Sequence, residues 1–559
     1  MSAGRADSSG TVLARQKAAA EKLRREVLGA DGSLKHPYFR DIRRQQRSYE
    51  RPATLEELFD ACARAGIIYV GDFHAVPACQ RFAARLLEEM ARRGHRVSLG
   101  IEFIYTRQQR QLDTRQAGLI EDPTFLRRVH YREEWGYPWD GFGELLDCAR
   151  RIGSRVHALD VPPRGGFDGL ARRDEHAARR IVSVLEADPE SPLVVLYGES
   201  HVSRGHIPRR TRTLLARSEL EVRDVTVFQD PDAVYWSLLS DHERLPPAVK
   251  LEDDVYAVFH GSPLAKYEAY RQVLARWWGD VPPDEEVDLT PAVHHLVGVL
   301  LGWLGIRADR HRVRHRAGWS EDLADAFPEV YNGPEASQLL DPILEEHGRT
   351  AEEIAEAGSR LARRGALYDS RSNALFLQQY LPGRAALEGA RFLRAALSGR
   401  LFDPAEEIWE DPAARAYGAT YNEALAVLGS RLVDPTGDFP GVDTPHGEGA
   451  VAGGSRQVPE TSAGRDEWLD SHKTFEASNR ARPPETLLEP LRQSRPLRRA
   501  LASDLGPRLG AILFERVRAG DLDARGLRHL FKRPLTPDKA AGVVVKLLRE
   551  KKAAPEARP

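Results

Sequence analysis

The sequence predicts an α/β fold, a mostly parallel sheet with helices on both faces, followed by an all-helical region, and three observations carry that prediction. Between Thr54 and about Leu274, six short apolar, β-branched runs alternate with amphipathic stretches of helical length. Several of those runs are apolar on both alternating faces, as expected of strands covered by helices on each side. Beyond about Trp277 the strand-like runs stop while helical periodicity continues. The 559 residues exceed what one hydrophobic core organises, so several domains are expected.

Residues 1–50 read as a charged helical arm, rich in Arg and Lys with scattered Leu, Tyr and Phe, and expected to be exposed. The α/β domain spans 51–275, with strand candidates at 67–70, 97–101, 156–159, 193–197, 225–228 and 255–259. Between them, 77–93 and 142–152 carry apolar residues three and four apart, the spacing of crossover helices. A helical domain follows over 276–435, with helices predicted at 318–327, 350–368, 385–397 and 422–432. Its most apolar run, 296–306, is far short of the roughly 20 residues that span a bilayer, so no transmembrane segment is expected and the run reads as a buried helix. Residues 436–467, rich in Gly, Pro, Ser and Thr, read as a flexible linker, and 468–559 as a C-terminal helical segment with a basic tail at 546–552.

Composition narrows the class. A hydrophobic share of 42% with 29% charged residues excludes a wholly disordered or collagenous chain. Lys and Arg total 81 against 83 Asp and Glu, so no global field steers the protein to nucleic acid or membrane, and no nucleic-acid module is evident. Cys62, Cys79 and Cys148 form no CxxC pair, which excludes a disulfide scaffold and a four-thiolate zinc site. A reducing cytoplasm is the expected location, since the N-terminus has no apolar export core. No GxxxxGK, HExxH or GxSxG motif occurs, which speaks against a P-loop nucleotidase, a zincin and an α/β-hydrolase.

Two strand ends carry the same pattern, G-[DE]-x-H, as Gly71-Asp72-Phe73-His74 and Gly198-Glu199-Ser200-His201. Glycine lets the chain turn sharply off the strand, and ligands bind outside the carboxyl ends of parallel strands, so both imidazoles point to one expected crevice. Glu102 and Asp160 close two further strands at that edge. His74, Glu102 and His201 make a two-His, one-carboxylate set suited to a divalent metal such as zinc, manganese or iron, with Asp72 or Glu199 orienting an imidazole from behind. Without a metal the same groups suit general acid–base work.

These motifs, with the strand end GIEF, Gln108-Gln109, Gly136-Tyr137-Pro138-Trp139, Ala158-Leu159-Asp160-Val161-Pro162 and Gly205-His206-Ile207-Pro208, occur in an order that resembles the ChaN-like haem-binding domain over about residues 54–240. That domain is similar to the Tiki and TraB proteins and the erythromycin esterases. The resemblance implies an α/β domain holding haem or iron at the shared site, with His74, Glu102, His201, Asp72, Glu199 and Asp160 as cofactor-binding residues and haem at a homodimer interface. For the hydrolytic relatives it implies that His74, Glu102 and His201 are catalytic. The chain departs from the family in Asp72, where Glu is common, and in Asp160, where Asn is frequent.

Other features read as structural. His294-His295 adjoin an apolar run, and neighbouring imidazoles on a helix diverge, so packing is expected. His311 and His315 lie among arginines, which disfavours a cation. Trp277-Trp278 are expected in core or interdomain packing, and Tyr105, Tyr131, Tyr137 and Tyr197 as packing residues.

Overall fold

The computed structural model describes residues 8–31, 36–164, 166–167, 169–218, 221–242, 245–279, 287–314, 318–402, 409–435, 462–478, 480 and 482–549. All six expected runs form strands and two more join them, giving β1 (Arg51–Ala53), β2 (Ile67–Asp72), β3 (Ser98–Tyr105), β4 (Val156–Asp160), β5 (Leu193–Gly198), β6 (Asp224–Gln229), β7 (Ala248–Glu252) and β8 (Val255–Val258). They make one eight-stranded sheet in the order β1-β7-β8-β6-β2-β5-β3-β4. The run from β8 to β4 is parallel. β7 and β1 add an antiparallel edge.

The alternation of strand side chains builds a core on each face. Ile68 and Val70 of β2 enter one cluster with Leu86 and Met90 of the Pro77–Arg92 helix and Leu145 of the Asp140–Arg151 helix. Ile67 and Tyr69 enter the other with Ile181 and Leu185 of the Leu170–Ala187 helix. Each such side chain withdrawn from water contributes about 1.5–3 kcal/mol.

Two compact units divide the chain, 17–287 and 1–16 together with 288–559. The N-terminal segment differs from the exposed arm expected of it. It forms a helix, Ser8–Asp31, in which Val12, Ala20, Leu23 and Val27 are buried. Ala20, Leu23 and Val27 recur at helical spacing, a stripe hidden in the sequence by the charges between them.

The unit that includes 288–559 is mainly helical, with helices at Thr290–Leu304, Pro382–Leu397, Pro412–Val433, Arg495–Arg518 and Pro537–Arg549 among others. It is not all-helical as expected. β9 (Arg312–Arg314) pairs with β10 (Ser320–Asp322), and β11 (Glu329–Asn332), β12 (Ala366–Asp369) and β13 (Ala374–Leu377) form a three-stranded sheet. The helix expected over 318–327 is therefore β10 and a turn. Trp319, Leu323 and Phe327 imitate a helical period there, but only Leu323 of the three is fully buried. The helix expected over 350–368 stops at Arg364, because Gly365 takes the left-handed conformation at φ 67° and turns the chain into β12.

The 296–306 run falls largely in the Thr290–Leu304 helix, with Leu296, Val297, Leu300 and Leu301 buried. No helix among the described residues is long and apolar enough to cross a membrane. Residues 436–461 of the expected linker, His315 and the tail beyond 549 lie outside the described residues. The remainder of the linker belongs to a helix, Ser462–Glu476. His294 packs as expected, its Nε2 3.1 Å from the Pro328 carbonyl. On the last turn of the Pro263–Trp278 helix, Trp277 packs its ring edge-on against Tyr137 at 5.1 Å and donates to the Gly136 carbonyl at 3.3 Å, whereas Trp278, 69% exposed, is not in a core as expected.

Candidate functional site

Four adjacent strands, β2, β5, β3 and β4, bring Asp72, Gly198, Glu102 and Asp160 to one rim of the sheet. Asp72 lies in register with Gly198. The β3–β4 register shifts between Ile101 and Tyr105, so Glu102 sits in an irregular stretch that turns its carboxylate across the strand ends. There Glu102 Oε2 accepts the Gly198 N–H at 2.5 Å.

His74 and His201 converge above Gly198. A Cβ on that glycine would stand 3.3 Å from Glu102 Oε2, 3.3 Å from His74 Nε2 and 3.4 Å from His201 Cδ2. Glycine thus leaves a hollow that both imidazoles and the carboxylate share. The three do not close further: their ligand atoms do not all lie within 4.8 Å of one another, a spacing met among the described residues by Cys79, Asp230 and His260.

Each imidazole is held from behind by an aspartate. His74 Nδ1 stands 2.7 Å from Asp72 Oδ2, while its Nε2 is 3.7 Å from Glu102 Oε2. Gln80 donates to the other Asp72 oxygen and fixes that carboxylate. Burial works against charge on His74, but Glu102 and Asp72 reverse it and lift the ring above the ordinary histidine range. His201 Nδ1 lies 2.6 Å from Asp174 Oδ1. Tyr38, from the 3-10 turn Pro37–Phe39, donates to the same carboxylate at 2.8 Å. Of the two acids expected to orient an imidazole, Asp72 does so and Glu199 does not, since Asp174 holds the place behind His201. Glu199 turns instead toward Lys266 Nζ at 3.5 Å, and burial raises its carboxyl against the pull of that lysine.

Asp160 is fully buried and does not face the hollow. It accepts from Arg173 Nε at 2.9 Å, Arg164 Nε at 2.8 Å and the Tyr197 hydroxyl at 2.7 Å. Arg173 also reaches Glu102 Oε1, so one guanidinium ties the two acids together. Burial disfavours charge on both carboxyls, yet the neighbouring cations hold each below the usual range, His74 and Arg173 for Glu102, Arg173 and Arg164 for Asp160.

An aromatic wall flanks His74, with the Trp135 ring centroid at 4.5 Å and Tyr137 at 5.0 Å. Arg164 lies over Trp135 at 4.5 Å and Tyr105 at 4.0 Å. Tyr105, Tyr131 and Tyr197 are buried packing residues, as expected.

Sequence reasoning missed Arg173, Asp174 and Tyr38. A signal for two of them exists: on the Leu170–Ala187 helix the buried stripe Leu170, Arg173, Asp174, Ala177, Ala178, Ile181 passes through a charged pair. Ionic groups on an apolar stripe need partners, and those partners are the site.

Fold and rim together define an α/β domain with a histidine- and carboxylate-lined hollow at its strand ends. Residues 58–165 match the family described as haem-binding uptake, Tiki superfamily, ChaN, so the resemblance carried by the motifs holds over that stretch. The match takes in Asp72, His74, Glu102 and Asp160 and ends before Glu199 and His201. Among solved structures, the ChaN of Campylobacter jejuni, titled for cofacial haem binding, is 12% identical, with 37% of this chain and 93% of that one covered at a TM-score of 0.27. The type III effector HopBA1 is 15% identical, with 33% and 87% covered at a TM-score of 0.24. No curated protein matches the chain by sequence.

Proposed function

We propose that the hollow above Gly198 holds haem, with His74 as the residue that meets the iron. The observation that carries this reading is the state of the His74 ring: Nδ1 is engaged by Asp72, and Nε2 is left facing the hollow without a hydrogen bond. An imidazole oriented by a carboxylate is a strong and correctly aimed ligand. The Trp135–Tyr137 wall offers a flat apolar group an aromatic face beside it. Haem would supply an iron able to bind small ligands or exchange electrons. The chain's own part is to orient His74 through Asp72, to hold His201 in reserve through Asp174, and to present Arg164 beside the aromatic wall. Three buried, unpaired cysteines suit the reducing cytoplasm that belongs to this proposal.

Haemin titration of the full chain, with His74→Ala and His201→Ala beside it, tests the reading. A saturable Soret shift that His74→Ala abolishes supports it. No shift, or one that both variants leave intact, overturns it. Elemental analysis of the same samples separates the rival: tightly bound zinc or manganese without a haem response makes His74, Glu102 and His201 the centre of a metal-dependent hydrolase.

A further inference from the structure

The unit that includes residues 288–559 contains a cavity of about 910 Å³, distinct from the strand-end hollow. Among the described residues, nine arginines line it against four carboxylates. They come from separate pieces of chain: Arg349 after the Gly333–Glu346 helix, Arg360 and Arg364 one turn apart on the Ala351–Arg364 helix, Arg391 and Arg394 on the Pro382–Leu397 helix, and Arg400 beyond it.

The four acids are all engaged. Glu423 meets Arg391 and, at 3.2 Å, Arg364. Asp369 and Glu353 take Arg349, at 2.9 and 3.3 Å, and Glu356 takes Arg499 at 3.0 Å. A positive surplus remains. Arg360 makes no hydrogen bond or ion pair to any described residue, nor does the Arg400 side chain. Burial, with Arg391 and Arg364 close by, pulls the Arg360 guanidinium below its ordinary range although Glu388 and Glu423 act to raise it, so the nearby carboxylates, shared with the other arginines, do not offset its enclosure.

We propose that this cavity binds a small polyanion whose charge is carried on two or more linked phosphate groups. A planar carboxylate is satisfied by one guanidinium fork, whereas a phosphate presents oxygens in several directions and is met by forks from different walls. The surplus and its spread over several elements call for more than one such group. Leu344, Leu367 and Tyr368 add an apolar side, so the phosphates belong either to an inorganic chain or to a nucleotide whose base lies there.

Calorimetric titration of the full chain with inorganic tripolyphosphate, ATP and inorganic phosphate, at an ionic strength of about 0.15 M, is the test. Tripolyphosphate is expected to bind saturably and orthophosphate far more weakly. Removing one charge-assisted hydrogen bond should weaken binding about tenfold or more, so Arg360→Gln and, separately, Arg400→Gln should each bind that much more weakly. Because neither side chain has a partner among the described residues, both variants should melt with the wild type when no ligand is present. If Arg360→Gln does not fold, Arg400→Gln alone decides. ATP binding tighter than tripolyphosphate supports the proposal and identifies the nucleotide source, while equal binding supports it and identifies the phosphate chain. No saturable binding of either, or binding unchanged in the folded variants, overturns it.

Discussion

Arg173 is the residue on which the strand-end site turns, because its guanidinium neutralises Glu102 and Asp160, two carboxylates that are 3% and 0% exposed. Removing one partner of a buried ionic set leaves uncompensated charge. Arg173→Met should therefore lower unfolding free energy by about 3–5 kcal/mol in urea denaturation, more than the change in packing explains. The His74–Asp72 pair makes a prediction in pH. His74 in the protein without ligand should titrate above free histidine, by ring NMR, and Asp72→Asn should bring it down. Since the folded value is raised, the pair's stability is fully present below about pH 6.5 and fades as pH rises through that raised value. Legibility at this scale followed distance along the chain. Asp72 was readable because it precedes His74 by two residues in the same motif. Asp174 was not, since only the packing of the Leu170–Ala187 helix on the sheet brings it to His201, and the GESH motif offered Glu199 as a plausible but misdirected substitute.

At the scale of elements, strand ends and helix crossings depend on single glycines. Gly198 is not in the left-handed region, so Gly198→Ala should keep the strand and cost about 1 kcal/mol or less, while its methyl occupies the point shared by His74, Glu102 and His201. Loss of the haemin response at near-native melting temperature is the expected result. Gly429 answers differently. A Cβ there would collide with Ala390 Cβ, where the Pro412–Val433 helix crosses the Pro382–Leu397 helix. Both atoms are tied to helix backbone, so Gly429→Ala should push the helices apart at about 1–3 kcal/mol, read as a lowered urea midpoint. Element type was legible wherever an apolar run was two-faced, as in β2 and β5. The missed strands have physical reasons. β1 is Arg-Pro-Ala on an edge, where proline costs no ladder bond, and β7, between β1 and β8, alternates Val and Leu with Lys and Glu, so it lacks the two-faced apolar run that marks the other strands. β12 was absorbed into the preceding helix although Gly365 was there to mark its end.

For the whole molecule, two units with cores of their own imply two unfolding transitions rather than one. The short N-terminal stretch 1–16 belongs with the later residues, since Gln16 donates to the Arg431 and Leu432 carbonyls at 3.0 and 3.1 Å and Arg15 lies over the Trp303 ring at 3.7 Å. Sequence order alone hides such a discontinuous unit, because nothing local in residues 1–16 names a partner more than 400 positions away. Ligands that bind only the native state raise the transition of the unit that holds their site. Scanning calorimetry of the full chain should thus show haemin moving one transition and tripolyphosphate the other. At a hundredfold excess over Kd the gain is about 2.7 kcal/mol, or roughly 5–10 °C for units of this size. Assignment follows from the variants: Arg173→Met should lower the haem-responsive transition, and Gly429→Ala the phosphate-responsive one. If both ligands move the same transition, the two sites are not housed in separate units, and the division of labour between sheet and helices is wrong.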